Sequence, residues 1–284
     1  MTDYDDVRYR SADARLTLYA RDYGGTGTPV LCLHGLTRNS ADFAALARHL
    51  SPHYRVIVPD VRGRGLSEYD PQPMHYQPGV YAQDAFALLN HLGVARCVVI
   101  GTSMGGIMGM IMGVTAPQRL IGLVLNDVGP ELDAAGLARI GAYTGKVEPA
   151  RDWAEAAARC RASNAQVFPD YGEDDWLAFA RRTCRETPDG PAPAYDPGIA
   201  VPFKAAEGAA PPDLWGLWDA LAAIPALVLR GERSDLLTAA TVARMQALHP
   251  GLTAVTVPGR GHAPMLDEPA AVAAIDAFLR EAGA

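Results

Sequence analysis

The stretch Val98-Val99-Ile100-Gly101-Thr102-Ser103-Met104-Gly105-Gly106 decides the fold. Three β-branched apolar residues read as a buried strand. Behind them stands Gly101-x-Ser103-x-Gly105, and then Ile107, Met108, Met110, Ile111 and Met112 read as a helix packed against other elements. Strand, sharp turn and helix together give the context in which Gly-x-Ser-x-Gly is a nucleophile elbow. The glycines have a physical reason. The Ser sits at a strained backbone angle, and side chains two residues to either side would strike the neighbouring strand or helix. The following helix points its first N–H groups at the Ser, which favours negative charge developing there.

Outward from this stretch the chain alternates. Residues 29–33, 55–59, 97–100, 120–125, 225–229 and 252–257 are short apolar runs that read as strands. Helical spacing covers residues 40–50, 78–92, 238–248 and 269–281. Residues 7–20 alternate in places and read as an antiparallel pair at a sheet edge. Strands alternating with helices predict a parallel sheet covered on both faces. Between residues 131 and 219 the rhythm breaks. Three helical stretches (133–143, 152–162 and 173–185) and a proline-rich connection (188–212) replace it, with no convincing strand. This segment holds nine Lys or Arg against fifteen Asp or Glu, and all four tryptophans, Trp153, Trp176, Trp215 and Trp218. It reads as a helical cap over the sheet, so the division is a core of residues 1–130 and 220–284 and a cap of residues 131–219.

Composition excludes several classes. The 284 residues are enough for one large α/β domain with an insertion. A net charge of −7 leaves no electrostatic footprint for nucleic acid. No apolar run approaches the ~18 residues of a membrane span. The start, Met1-Thr2-Asp3-Tyr4-Asp5-Asp6, is acidic and polar, unlike a secretory leader, and the expectation is a cytoplasmic protein. Cys32, Cys97, Cys160 and Cys184 are scattered without metal-ligand spacing, so neither a disulfide framework nor a metal site is predicted, and no cofactor is implied.

Polar residues stand at the carboxyl ends of the predicted strands, where open α/β sheets bind their ligands. Ser103 follows one strand, Asp235 a second and His262 a third. A Ser hydroxyl needs a base to take its proton. An imidazole does this, and a carboxylate fixes its tautomer and stabilises the imidazolium. The order Ser, Asp, His along the chain is that of the α/β-hydrolases.

The chain resembles that superfamily along essentially its whole length, and within it the small esterases and lactonases that carry a helical cap after the sixth strand. The matching stretches are Leu33-His34-Gly35-Leu36, Asp60-Val61-Arg62-Gly63-Arg64-Gly65-Leu66-Ser67, Gly101 to Gly106, Arg230-Gly231-Glu232-Arg233-Ser234-Asp235 and Gly261-His262-Ala263-Pro264. The resemblance implies an α/β-hydrolase fold with a mostly parallel eight-stranded sheet flanked by helices. It also implies a Ser103–His262–Asp235 triad, with an oxyanion hole made by the backbone N–H groups of Leu36 and Met104. His34, Asp60 and Arg62 read as braces of the loops around it. Asp127, at the end of the strand before the cap, is the alternative acid. It is the less favoured of the two, because the gap from Arg230 to Asp235 matches the family pattern.

The activity implied is hydrolysis of a carboxylic ester or lactone through an acyl-enzyme, on a small-molecule substrate, by a monomer or homodimer. A Ser at the elbow argues against the dehalogenases and epoxide hydrolases of the superfamily, which use Asp. Thr102 and Ala263 stand where its carbon–carbon bond hydrolases often have Asn and Trp, which counts against that reaction and leaves it as an alternative. A receptor that retains the triad without catalysis is another. The Trp and Phe content of the cap suggests a moderately apolar acyl or alcohol group.

Overall fold

A computed structural model of the chain describes residues 3–205 and 213–283. Met1, Thr2, Ala284 and residues 206–212 of the proline-rich connection lie outside the described residues.

Strands β1 (Asp5–Arg10) and β2 (Thr17–Asp22) form the predicted antiparallel pair, and β3 (Pro29–Leu33) enters the middle of the sheet. A 3₁₀ turn, Ser40–Phe43, precedes α1 (Ala44–Leu50) and splits the helix predicted over 40–50. The Asn39 side chain starts that turn by accepting from the N–H of Ala41. Next come β4 (Arg55–Asp60), α2 (Pro78–His91), β5 (Cys97–Thr102), α3 (Met104–Thr115) and β6 (Leu120–Asn126). The insertion carries α4 (Ala134–Tyr143), α5 (Trp153–Asn164), α6 (Glu173–Thr183), a two-residue ladder of β7 (Cys184–Arg185) with β8 (Ala192–Pro193), then α7 (Ala200–Ala205) and α8 (Trp215–Ala220). That ladder is a strand pair which the sequence does not announce, because two residues are too short for any alternation to register. The core resumes with β9 (Ala226–Gly231), α9 (Ala239–Leu248), β10 (Leu252–Val257) and α10 (Pro269–Glu281).

Eight strands make one sheet in the order β1-β2-β4-β3-β5-β6-β9-β10. All neighbours from β4 to β10 run parallel, and β2 is antiparallel to both β1 and β4. Successive side chains of a strand point to opposite faces, and here the alternation separates two cores. Leu31, Leu33 and Val99 join one apolar cluster with Leu88 of α2, Met108 and Met112 of α3 and Trp218 of α8. Val30, Cys32, Val98 and Ile100 join the other, with Leu46 and Leu50 of α1 and Ile275 and Leu279 of α10. Both faces are therefore covered, as a parallel sheet requires. The insertion contributes most of a third cluster, built on Phe168, Trp176 and Phe179. Helix α6 opens with Glu173, Asp174 and Asp175 and closes with Arg181 and Arg182, so its ends carry the charges that complement the helix dipole. Among the described residues no helix is long and apolar enough to cross a membrane.

Candidate active site

Strand β5 ends at Thr102 and α3 begins at Met104, so Ser103 alone makes the turn between them, at φ 52° and ψ −117°. Its N–H donates to the Asn126 carbonyl at 3.0 Å, which ties the turn to the end of β6. The glycines are there because nothing larger fits. A Cβ on Gly101 would fall on the backbone of Gly105, and one on Gly105 would fall on the Leu33 carbonyl of β3. One on Gly106 would meet the Val128 side chain. The elbow is thus wedged between the end of β3, the start of α3 and the loop after β6, and that packing holds the Ser in a backbone region that non-glycine residues rarely occupy.

Strand β6 repeats the device. Thr102 pairs with Asn126 across the sheet, so Ser103 and Asp127 are the first residues beyond two neighbouring strand ends. Asp127 too has a positive φ, 55°. Its carboxylate is fully buried and accepts three hydrogen bonds. Oδ1 takes the N–H of Gly231 at 2.7 Å; Oδ2 takes the hydroxyl of Ser234 at 2.5 Å and Nδ1–H of His262 at 2.8 Å. A carboxylate so supplied is held in one orientation. On the far side of the imidazole, Nε2 of His262 lies 2.9 Å from the Ser103 hydroxyl and accepts its proton. The His262 side chain is only 7 % exposed and that of Asp127 is 0 % exposed, so the relay is shielded from water except where Ser103 opens into a cavity.

Asp235, the acid favoured from the sequence, stands elsewhere. Its oxygens receive Nε and Nη2 of Arg139 from α4 at 2.5 and 2.8 Å, and its side chain is 31 % exposed. The physical reason lies one residue earlier. Ser234 Oγ accepts the N–H groups of Leu236 and Leu237 at 3.2 and 3.0 Å. This folds the loop after β9 so that Ser234 points at Asp127 and Asp235 turns toward the cap. Arg139 in turn holds the Asp235 carboxyl below the usual carboxylate range, against the opposing effect of burial. Ser234 is a site residue that sequence reasoning misses: a lone Ser beside an Asp carries no motif.

The loop after β3 lies against the elbow. Ideal Cβ placement on Gly35 would put it 3.8 Å from the Ser103 Cβ. His34 is wholly buried: its Nδ1–H donates to the Gly35 carbonyl at 2.8 Å and Nε2 accepts the Val61 N–H at 3.0 Å. Burial pushes this imidazole down to about 4, with the Asp60 carboxylate opposing. Arg64 Nε donates to the Leu36 carbonyl at 2.9 Å. Asp60 accepts the N–H groups of Ser40 and Leu66, and Arg62 is buried between Asp70 and Asp84. His34, Asp60 and Arg62 are therefore braces: His34 holds the Gly35–Leu36 peptide, and Asp60 and Arg62 tie the neighbouring loops together. Met104 opens α3, where a helix leaves its first N–H groups without intrahelical partners.

The cavity in front of Ser103 measures about 590 Å³. The core contributes Leu36, Arg38, Ser103 and His262 to its wall, and the insertion contributes Ile140, Tyr143, Phe168, Phe179 and Tyr195. None of the four tryptophans lines it. Trp176, Trp215 and Trp218 are buried in the apolar clusters, and Trp153 packs against the cap cluster. The tryptophan content of the cap therefore says nothing about substrate, because these rings pack helices together. Charged groups line the cavity as well. Arg38 is paired with Asp42, and Arg159 with Glu155. Among the described residues Lys146 has no ion-pair partner. Asp13, Asp70 and His75 form the one described group with metal-like spacing, away from the cavity. Arg15 and Arg62 already sit on its carboxylates at 2.9 and 2.7 Å and supply the positive charge a cation would bring.

Residues 30–275 match the model of the alpha/beta hydrolase family. The chain belongs to the alpha/beta hydrolase family. This hydrolase is 46 % identical in sequence to the crystal structure of an alpha/beta hydrolase from Novosphingobium aromaticivorans, with a TM-score of 0.92 over 99 % of both chains. It is 35 % identical to the 3-hydroxybutyrate-oligomer hydrolase of Cupriavidus necator over 91 % of each chain. It is 29 % identical to the 2-(acetamidomethylene)succinate hydrolase of Mesorhizobium japonicum over 87 % of this chain and 86 % of that one. These relatives are hydrolases, and an enzyme acting on a small molecule is the role the family supports.

Proposed function

We propose that this alpha/beta hydrolase cleaves a carboxylic ester or lactone through an acyl-enzyme. Ser103 is the nucleophile, His262 the general base and then the general acid, and Asp127 the acid that orients the imidazole. The observation that carries this reading is the continuous run of hydrogen bonds from Asp127 through His262 to Ser103, ending at the wall of a cavity. As Ser103 attacks, its proton passes to Nε2 of His262, and the buried Asp127 carboxylate stabilises the imidazolium. The N–H groups of Leu36 and Met104 hold the oxyanion; two such preorganised donors each contribute about 10²–10³ in rate. His262 then gives its proton to the leaving alcohol. Water, activated by the same imidazole, releases the acid.

The substrate we infer is small and polar at one end. A cavity of about 590 Å³ whose wall carries apolar side chains together with Lys146 and Glu148 suits a short acyl ester with a polar end. The relative that acts on 3-hydroxybutyrate oligomers supports the same choice. Residues 131–219 act in this scheme as the lid that sets substrate choice.

The test is a panel of p-nitrophenyl esters, lactones and short 3-hydroxybutyrate oligomers, each run beside Ser103→Ala. A burst of one product per chain is expected, with kcat lost by roughly 10³–10⁶ in the variant. A serine-directed phosphonate should label Ser103. An active Ser103→Ala protein, or labelling elsewhere, would sink the assignment.

A further inference from the structure

Four cysteines are free, and they divide into two pairs of opposite character. Cys32 and Cys97 are strand residues buried completely in the sheet, and burial pushes both thiols up, Cys97 to about 12. Thiols of that kind stay protonated and unreactive. Cys160 and Cys184 belong to the insertion. Cys160 lies on α5 and Cys184 begins β7, directly after α6, yet their sulfurs flank the same hydroxyl. Sγ of Cys160 is 3.8 Å from Thr183 Oγ1 and Sγ of Cys184 is 4.0 Å from it. Both cysteines are half-buried, and both line the cavity into which Ser103 opens. A molecule small enough to reach Ser103 can therefore reach these thiols.

The two sulfurs are not equivalent. The neighbouring Cys184 thiol, with Thr183 and the guanidinium of Arg38, brings Cys160 down to about 7 although burial opposes it. The same contact, added to burial, pushes Cys184 up. Two thiols that flank one hydroxyl carry one negative charge between them at a time, so one sulfur attacks as thiolate while its neighbour keeps a proton until the second step. That division suits stepwise exchange with a disulfide.

We propose that Cys160 and Cys184 form a dithiol modification site in the wall of the substrate cavity, which reacts with small disulfides of the glutathione class and closes to an intrachain disulfide. In the first step the Cys160 thiolate attacks one sulfur of the small disulfide. The small S–S bond breaks, one thiolate leaves, and a mixed disulfide forms on Cys160. In the second step Cys184 loses its proton and attacks Sγ of Cys160. The mixed disulfide breaks and the second small thiolate leaves. The protein loses two electrons and two protons, and one small disulfide becomes two small thiols. The product ties α5 to β7 across the cavity wall.

Dithiodipyridine, whose released thione absorbs, reads both steps on the folded full-length chain, and oxidised glutathione then checks the natural chemical class. The wild-type protein should release two equivalents of thione quickly and end two hydrogens lighter with no adduct. Peptide mapping should find Cys160 joined to Cys184. Cys184→Ser should release one equivalent and keep a stable adduct on Cys160. Cys160→Ser should lose the fast phase, slowing by at least ~10-fold toward the rate of buried thiols. Thermal melts of each variant establish that it is folded, and Cys160→Ala repeats the Cys160 test with a second side chain. A wild-type protein that stops at the mixed disulfide would overturn the proposal. So would a Cys184→Ser protein that behaves as wild type, or fast labelling that maps to Cys32 or Cys97.

Discussion

The Asp127 carboxylate lies 2.8 Å from Nδ1 of His262, although 135 residues separate the two in the chain. It reaches that position because β6 ends level with β5, and because the loop after β9 brings Gly231 N–H onto Oδ1 and the Ser234 hydroxyl onto Oδ2, the oxygen that His262 also engages. Asp235 is nearby, but its oxygens are taken by Arg139 and it faces the cap.

This geometry makes a clean prediction from two variants measured together. Asp127→Asn should fold and lose about 10⁴ in kcat, because an amide cannot hold the imidazole in the working tautomer. Asp235→Asn should keep kcat within a few fold. Its pair with Arg139 is partly exposed, so its loss should cost under ~1 kcal/mol in a denaturant melt. If Asp235→Asn were the inactive one, the acid would have to be reassigned.

The choice between these two aspartates marks where sequence legibility ends. Ser103 and His262 stand in stretches that glycine punctuates, and a glycine pattern reports backbone constraints that act locally. Gly101, Gly105 and Gly106 are needed because their neighbours leave no room for a Cβ, so the elbow is written in the chain itself. The strands were legible for a similar reason: successive residues such as Leu31 and Cys32 are both apolar because both faces of the sheet are covered. The acid depends instead on which of two adjacent loops turns inward. That is decided by Ser234 accepting two backbone N–H groups, a feature no spacing rule carries. One signal was available: Asp127 directly follows an apolar strand, as Ser103 does, whereas Asp235 lies four residues beyond Gly231 at the end of β9. The tryptophans misled for a different reason, since composition cannot tell a ring that lines a cavity from one that joins two helices.

The cap wall offers a second test. Ile140 on α4 is buried and lines the cavity. Ile140→Ala should enlarge the pocket and shift preference toward bulkier acyl groups, with KM moving more than kcat, because the residue lines the cavity but makes none of the hydrogen bonds that join Asp127, His262 and Ser103. Chain-length profiles of wild type and variant, taken on the same ester series, check this. An unchanged profile with a lowered melting temperature would make Ile140 packing alone, and the lid role of residues 131–219 would lose its support there.

His34 predicts how stability depends on pH. The folded protein holds this imidazole neutral down to about 4, because burial disfavours its charge. The unfolded chain takes up the proton near ~6.5. Between those values the unfolded state binds more protons, so stability rises with pH across the window. The contribution is fully present above ~6.5 and is lost progressively on acidification toward 4, amounting to about 3 kcal/mol. Urea melts at pH 7 and pH 5 should show the loss in the wild type. The slope should flatten in His34→Gln, even though that variant starts less stable for want of a matched hydrogen bond. Equal slopes in the two proteins would mean that another buried group governs the acid limb.

Ser234 is a positioning residue whose whole effect passes through Asp127. Its oxygen accepts from Leu236 and Leu237, and its one hydrogen goes to Oδ2, the oxygen that also faces His262. Removing the hydroxyl leaves the carboxylate with two hydrogen bonds, from Gly231 N–H and the imidazole, and so less firmly oriented. A hydrogen bond to a charged group contributes about 1.5–3 kcal/mol, and if that support serves to orient the relay, its loss appears in the barrier as roughly 10–100-fold in kcat. Ser234→Ala should therefore lower kcat by that factor at an unchanged KM, since Ser234 is not part of the cavity wall. Ser234→Thr keeps a hydroxyl and should restore most of the rate. A merely structural Ser would lower the melting temperature in Ser234→Ala and leave kcat alone. The split between kcat and KM, with the Thr rescue beside it, therefore separates orientation of the acid from bracing of the loop.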